Sequence, residues 1–379
     1  MSFVPPVPPP LPESSTPVSF SGNRGEFFRL VARGAGLELI TVGFYRFWLA
    51  TDIRRHLWSN THIDGDAAEY TGRAMELLIG FLIALAILVP VYLAYFLASM
   101  EAERIKAFAS LPLLAFFYLF GQFAIYRARR YRLTRTVWRG VRFWMSGSGW
   151  AYAARAALWG LLMILTLGLI LPWREAALER YKMRHSYYGD LQGSFEGRGW
   201  EFFKRGWWLW LLAPIALYVS PLAPFVYAAF KAVEWRWWLS GIRFGGVRLE
   251  STMRRGALIG LYWKVIGWVL LLAVAFAAYL ALCAALVASM SGAPLDQFFT
   301  PAVFLKSIPL LVLAGLGYLL FALAINVAMR VYLLRDLWVR VLASTTVHNI
   351  EAAANVSARG ELANALGEGF ADGLDVAGF

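Results

Sequence analysis

The chain is poor in cysteine, in histidine and in charge. It has one cysteine (Cys283) and four histidines in 379 residues, and only 16% of its residues are charged. A single thiol excludes a disulfide framework and a cysteine-based metal site. Soluble domains carry about a quarter charged residues, so this chain is too apolar to face water on all sides. A large soluble helical core is therefore disfavoured.

Motifs of catalysis are missing as well. The chain contains no H-E-x-x-H, G-x-S-x-G or Walker A sequence. His56 and His62 do not have the i, i+3 or i, i+4 spacing that would place two metal ligands on one helical face. We therefore expect no enzymatic activity, no metal ion and no cofactor.

Long uncharged runs are what the sequence does have. Five of them approach or exceed the roughly 20 residues that cross a bilayer as a helix. They are residues 77–99, 107–126, 206–230, 265–295 and 307–329. These runs predict an all-α membrane protein that crosses the bilayer several times.

Basic residues fall between the apolar runs. The net charge is +12, and residues 127–155 contain eight arginines with no acidic residue. Excess positive charge beside membrane helices marks the cytoplasmic side, so we expect this segment and the C-terminus to be cytoplasmic. Because the cations lie between hydrophobic runs, nucleic acid is not the expected partner. Membrane lipids are, and protein partners stay unknown.

Charge and helix breaks together predict five helical hairpins that open to the cytoplasm. Two are predicted to be short and re-entrant, with breaks at 42–43 and 167–168. Three spanning hairpins are predicted to pair 76–99 with 107–126, 199–220 with 221–239, and 256–289 with 307–329. Seven single spans are the alternative.

Short segments with alternating apolar and basic residues beside glycine, at 140–143, 192–195 and 241–249, predict strands. The expected fold is a helical-hairpin bundle with a small cytoplasmic strand-rich layer.

The chain also resembles itself at a constant offset of 125 residues, and such a period must be considered before the fold is assigned. The matched pairs include Gly22 with Gly147, Arg55 with Arg180, and Glu76 with Glu201. The predicted organisation has five parts. They are a disordered Pro-rich segment (1–19), a first repeat unit (20–144), a second repeat unit (145–249), a C-terminal spanning hairpin with a cytoplasmic exit (250–345) and an acidic Ala/Gly-rich tail (346–379).

Three segments carry a resemblance to a known family. They read FSGNRGE (20–26), LITVGFYRFW (39–48) and RRHLWSNT (54–61), and GVRF follows at 140–143. Together they resemble the YjgN-like family of bacterial inner-membrane proteins. The second copy keeps the family's Pro-Trp pair as Pro172-Trp173, whereas the first has Phe47-Trp48. The resemblance implies an inner-membrane location and no particular activity.

The two Thr-x-Gly breaks are the first candidate ligand site. Interrupted helices expose backbone ends that bind substrates in many transporters. The alternative is a packing device that lets each hairpin turn. The candidate residues at the breaks and beside them are Thr41, Gly43, Trp48, Thr166, Gly168, Pro172 and Trp173.

An arginine cluster is the second candidate site. Its guanidinium groups suit the phosphate oxygens of anionic lipids. The alternative is a topology determinant that touches headgroups without specificity. The cluster consists of Arg127, Arg129, Arg130, Arg132, Arg135, Arg139 and Arg142.

The sequence thus predicts an integral inner-membrane protein. We expect it to transport or handle an anionic or amphipathic ligand such as a lipid. The alternative is a structural or assembly protein of the inner membrane that transports nothing.

Overall fold

The computed structural model describes residues 14–101, 106–292, 294, 307–360 and 362. Within them, helices come in pairs that turn back on themselves. The pairs are α1 (Arg24–Ile40) with α2 (Arg46–Ser59), α3 (Ala74–Glu101) with α4 (Lys106–Thr134), α5 (Gly149–Leu165) with α6 (Leu171–Arg184), α7 (Gly199–Tyr218) with α8 (Ala223–Gly241), and α9 (Ile259–Ser291) with α10 (Ile308–Ala328). A π-helical turn, Met329–Arg335, continues α10 into α11 (Asp336–Ala343).

Local sequence explains where these helices begin. The Asn23 side chain accepts a hydrogen bond from the Gly25 N–H and so caps α1. Ser148 caps α5 in the same way by accepting from the Ala151 N–H. Polar caps of this kind satisfy backbone donors that the first turn leaves unpaired. The helix pairs match those predicted from the sequence to within a few residues at most ends.

Four helical segments are long and apolar enough to cross a membrane. They are Ala74–Leu97, Leu111–Thr134, Ile259–Ser291 and Ile308–Ala343. In the most apolar 18-residue stretch of each segment, at most 17% is buried inside the protein. Apolar surface on this scale is covered by lipid rather than by water, so the chain is a membrane protein.

A β-hairpin follows each of the first four helix pairs. The strands are β1 (Ser15–Pro17), β2 (Ser19–Phe20), β3 (Thr61–Ile63), β4 (Asp66–Tyr70), β5 (Thr136–Trp138), β6 (Val141–Met145), β7 (Ser186–Tyr188), β8 (Leu191–Phe195), β9 (Ile242–Phe244), β10 (Val247–Ser251) and β11 (Thr345–His348). Two hairpin turns, Asp64-Gly65 and Arg139-Gly140, have positive φ at both central residues. That geometry matches the twist of the flanking strands.

The hairpins join into one antiparallel sheet of eleven strands. Its order is β1-β11-β10-β9-β8-β7-β6-β5-β4-β3-β2. Its two end strands are consecutive in the chain, joined by Val18, whose N–H donates to the Thr345 carbonyl at 3.0 Å. The segment from Ser15 to Phe20 therefore pairs with both ends of the sheet and nearly closes it into a barrel-like ring.

This ring contradicts the fold predicted from the sequence. The helical-hairpin bundle with a small strand-rich layer is wrong, because every helix pair is tied to one large sheet. The strands have two to five residues each, which is too short for alternation to reveal a barrel. Residues 15–17 and 19, assigned to the Pro-rich segment, lie in strands, while residues 1–13 are outside the described part.

Side chains from opposite parts of the ring fill its interior. Trp138, Tyr188, Val247 and Val347 are buried in one cluster, although their strands are spread around the sheet. The Phe143 and Phe244 rings meet with centroids 5.8 Å apart, across two intervening strands. Contacts between strands that are not neighbours require a packed interior, so the ring is a core rather than a pore.

The residues after β11 cover the end of the ring where the hairpins turn. A short 3-10 helix, Ile350–Ala353, places Ile350 and Ala353 in the interior cluster. The Ser357 N–H then donates to the Asp190 carboxylate at 3.1 Å. The first part of the predicted acidic tail is therefore structured, and residues 361 and 363–379 lie outside the described part.

Candidate functional site

The first Thr-x-Gly break is a closed turn between α1 and α2. The Thr41 hydroxyl donates to the Leu37 carbonyl at 2.8 Å and accepts from the Tyr45 N–H at 2.9 Å. The Gly43 N–H donates to the Glu38 carbonyl at 2.7 Å, and Gly43 has φ +87. The turn thus pairs several of its backbone groups within itself.

The second break repeats this geometry between α5 and α6. The Thr166 hydroxyl donates to the Leu162 carbonyl and the Gly168 N–H to the Met163 carbonyl, both at 2.8 Å. Val42 and Leu167, the middle residues of the two breaks, have φ near +50, at a cost of roughly 1–2 kcal/mol. Their side chains are 88% and 92% exposed. An apolar tip with satisfied backbone suits lipid, where polar groups find no water.

The remaining residues beside the breaks serve packing. Pro172 is buried in the first turn of α6, and Trp173 packs its ring against Trp200 and Phe203. Trp48 stacks on Tyr45 at the start of α2. The structure thus places all the predicted break residues at or beside the two hairpin turns, which lie at the far ends of different helix pairs.

Members of the predicted arginine cluster pair with different acidic residues. Five of its residues lie along the end of α4 (Arg127, Arg129, Arg130, Arg132 and Arg135), Arg139 lies in the β5–β6 turn and Arg142 on β6. Arg135 pairs with Glu76 at 2.9 Å and Arg129 with Glu179 at 3.4 Å. Arg139 contacts both Asp64 and Asp66 in the neighbouring turn.

Arg142 also has a structural partner. Its Nη1 donates to the Thr134 carbonyl at 2.5 Å, which ties β6 to the end of α4. Arg127 lies over the Phe123 ring at 5.6 Å. Several of these guanidinium groups therefore join helices and turns to one another, and their acidic partners lie far away in the sequence.

A different set of arginines does share a cavity. It has a volume of about 280 Å³ and lies where α7, α8 and three strands meet. Four arginines line it, together with Ser240, Leu249, Glu250, Ser251 and His348. The arginines are Arg205 on α7, Arg236 on α8, Arg243 on β9 and Arg248 on β10. We call this cavity the arginine pocket.

Strand geometry places the arginine pocket outside the ring. Phe244 and Val247 belong to the interior cluster. Successive strand residues point to opposite faces, so Arg243 and Arg248 project outward. The sequence shows a basic stretch at 231–264 with strand-like residues at 241–249, but helix α7 contributes Arg205 from a separate segment. Only the pairing of distant elements assembles the pocket.

A second cavity of about 470 Å³ lies at the corresponding position beside the first β-hairpin. Arg55 and Ser59 hold the places before β3 that Arg236 and Ser240 hold before β9. Its lining is not basic, because it contains Asp52 and Glu69, and Arg55 donates to the Gly72 carbonyl at 2.9 Å. We call this cavity the acidic pocket. Burial raises the pKa of Asp52 above its ordinary value, although Arg55 and Arg33 act against it.

The surroundings of His56 in the acidic pocket predict that protein stability depends on pH. Burial lowers the pKa of His56 below its ordinary 6.5, Glu26 opposes the shift and Arg335 adds to it. The unfolded chain therefore binds the proton more readily, and we expect the melting temperature to fall as the pH drops below 6.5. Melting curves between pH 8 and pH 5 measure this slope, which His56→Gln should reduce.

His62→Gln is the matched control for this change. His62 lies on β3 and contacts the Ser21 hydroxyl at 2.9 Å. If both variants keep the slope of the parent protein, acid destabilisation comes from groups other than His56.

Comparison with known proteins identifies one family. The model of a family described as "Bacterial protein of unknown function (DUF898)" matches residues 15–234, more than half of the chain. The match agrees with the YjgN-like resemblance that the sequence motifs carry. Neither a curated protein nor a solved structure is found to match the chain.

Among the described residues, no group of three or more His, Cys, Asp or Glu side chains is arranged to hold a metal ion.

Proposed function

We propose that this chain, which belongs to the DUF898 family of bacterial proteins of unknown function, is a non-catalytic inner-membrane protein that binds and handles an anionic amphipathic ligand such as a lipid. Its ring of strands would face the cytoplasm, and its C-terminus would lie on the same side. Lipids are the proposed partners, and nucleic acid is not.

An apolar belt on the long helices supports the membrane part of this proposal. Val274, Leu282 and Met290 on α9 are 68%, 70% and 81% exposed. Similar exposed leucines and valines occur along α3 and α10. Apolar side chains with no protein neighbour need lipid as their cover.

Cations form a second belt at the helix ends next to the sheet. We call these residues the arginine collar: Arg55, Arg129, Arg130, Arg132, Arg180, Lys182, Arg184, Lys204, Arg205, Arg236, Arg254, Arg255 and Arg340. Each hairpin turn lies at one end of its strands and the helices leave from the other end, so the collar would lie on one side of the bilayer. Positive charge at that level favours the cytoplasmic side.

The order of these layers is the observation that carries the proposal. From the ring outward come the arginine collar and then the apolar belt, on the same helices. Each cation near a membrane surface adds about 1 kcal/mol of attraction to anionic lipid. Because the ring interior is packed, the ligand is more easily accommodated between the helices and the outer face of the ring than within it.

The packed hairpin turns favour the alternative, a scaffold that transports nothing. Pro172 and Trp173 pack against neighbouring side chains, and Gly199 approaches the Trp173 backbone so closely that a Cβ atom there would lie 2.8 Å from its Cα. A scaffold would use such contacts to hold helix pairs in place.

Lipid retention distinguishes these functions. The protein is placed in nanodiscs of phosphatidylethanolamine and phosphatidylglycerol and released in a native mass spectrometer. We expect the retained lipid to be enriched in phosphatidylglycerol over the composition of the disc. Retained lipid that mirrors the disc, or none at all, would contradict ligand binding and favour the scaffold.

A further inference from the structure

We infer that the arginine pocket binds a phosphate group through Arg205, Arg236, Arg243 and Arg248. A phosphate carried by a lipid headgroup and free phosphate share this chemistry. Only the lipid-borne ligand rests on the proposed function.

Two of the four arginines lie directly opposite each other in the sheet. Arg243 on β9 is the register partner of Arg248 on β10. Like charges at directly opposed positions destabilise a strand pair. An anion bound between or beside them removes this repulsion.

The other three hairpins show that the fold does not require this pair. The corresponding register partners are His62 with Ala67, Val137 with Arg142, and Tyr187 with Gln192. None of these is a pair of arginines. The opposed arginines are therefore specific to the β9–β10 hairpin, next to the pocket.

Two carboxylates beside the pocket arginines are largely exposed. Glu250 is the one carboxylate in the described lining, and it lies 3.2 Å from His348 with its side chain 62% exposed. Glu196 lies 3.1 Å from Arg243 Nε but is 64% exposed. Water therefore screens both of these carboxylates well.

One of the four arginines, Arg243, is also positioned before any ligand arrives. Arg243 Nη1 donates to the carbonyls of Ser240 and Ile242, both at 2.9 Å, which fixes its side chain. Arg205 Nη1 is buried and has no hydrogen-bond acceptor among the described residues. A buried donor without an acceptor is costly, and a phosphate oxygen would supply the acceptor.

Phosphate fits this arrangement better than carboxylate. A single guanidinium fork is enough to engage a carboxylate. Here the forks approach from two helices and two strands, and a tetrahedral phosphate presents oxygens in several directions. The volume of about 280 Å³ is suited to a headgroup rather than to a whole lipid.

The acidic pocket provides an internal comparison. Leu30 on α1 holds the place that Arg205 holds on α7, and His62 and Ala67 stand where Arg243 and Arg248 stand. With Asp52 and Glu69 in its lining, that pocket would repel phosphate. Phosphate binding is thus expected at one of two similarly placed cavities.

The test uses Arg205→Gln/Arg236→Gln in the full-length protein. These side chains come from helices and are not part of the strand pairing. Arg254→Gln/Arg255→Gln is the matched control, because it removes the same charge from two exposed residues near the start of α9. Two probes are used: inorganic phosphate titrated onto protein in zwitterionic detergent, and native mass spectrometry from phosphatidylglycerol nanodiscs.

We expect the pocket variant to bind phosphate at least about tenfold more weakly than the control, or to lose one retained phosphatidylglycerol. Loss of the lipid identifies a lipid headgroup as the source, whereas loss of phosphate binding alone identifies free phosphate. Phosphate binding without any lipid enrichment would keep this site and contradict the proposed function. Equal behaviour of the two variants with both probes would overturn the site.

A second variant distinguishes loss of the binding site from misfolding. Arg205→Lys/Arg236→Lys keeps the charge but removes the bidentate forks. A site that recognises phosphate should lose affinity in this variant while the melting temperature stays near that of the control. Unchanged affinity would show that the pocket attracts anions by net charge only and would also overturn the site.

Discussion

Replacing Asp336 by alanine is expected to destabilise the folded protein by about 3–5 kcal/mol. Asp336 is buried at the start of α11, where its carboxylate accepts from Arg24 at 2.7 Å and from Arg335 at 3.0 Å. Lys264 on α9 lies 3.7 Å away. Without the carboxylate, the buried Arg335 loses its charged partner, and α1 loses its bond to α11. Chemical unfolding in detergent measures the change.

Asp66→Ala is the control for Asp336→Ala. Asp66 also pairs with an arginine, Arg139, at 2.5 Å, but its side chain is 51% exposed. Solvent-exposed ion pairs contribute about 0–1 kcal/mol. If the two variants unfold alike, the Asp336 network is not what holds the first and last helix pairs together.

The helix pairs were predictable because each one depends on local sequence. The apolar runs, the Thr-x-Gly breaks and the Ser-Pro turn before α8 all lie within the segment that folds. The sequence also predicts the strand positions at 140–143, 192–195 and 241–249, since each lies beside a glycine turn. Local signals of this kind do not depend on distant parts of the chain.

The ring was not predictable for the opposite reason. β1 pairs with β11, and β2 pairs with β3, so one short segment closes the ring by pairing with strands far apart in the sequence. Nothing within the segment from Ser15 to Phe20 indicates a partner more than three hundred residues away. Strands this short have little intrinsic preference, and tertiary packing decides their state.

The candidate sites also differ in whether they depend on local sequence or on contacts between distant segments. The arginines of α4 form a dense run in the sequence, but Glu76, Glu179 and Asp64, which pair with them, lie in distant segments. The arginine pocket has no such run, since Arg205 and Arg248 belong to different elements. A dense run of arginines in the sequence therefore does not reveal which arginines line one cavity in the folded chain.

Replacing Glu76 by alanine should also lower the free energy of unfolding by about 3–5 kcal/mol. The sequence repeat does not predict this effect, because Glu76 is matched there by Glu201. Glu76 Oε2 accepts from the Tyr131 hydroxyl at 2.7 Å and from Arg135 Nε at 2.9 Å. The Arg135 side chain is only 4% exposed. Removing the carboxylate leaves a buried guanidinium without this partner where the start of α3 meets the end of α4. Chemical unfolding of Glu76→Ala in detergent measures the loss.

Glu201→Ala provides the control that the chain itself offers. Glu201 matches Glu76 at the offset of 125 residues and occupies the first turn of α7, where it is exposed. A carboxylate there interacts with the helix dipole and contributes about 0.3–1 kcal/mol. Equal losses of unfolding free energy in the two variants would mean that both carboxylates act only through the helix dipole. Unequal losses would mean that one repeated residue has acquired a structural role in the first copy, because Tyr131 and Arg135 surround it there.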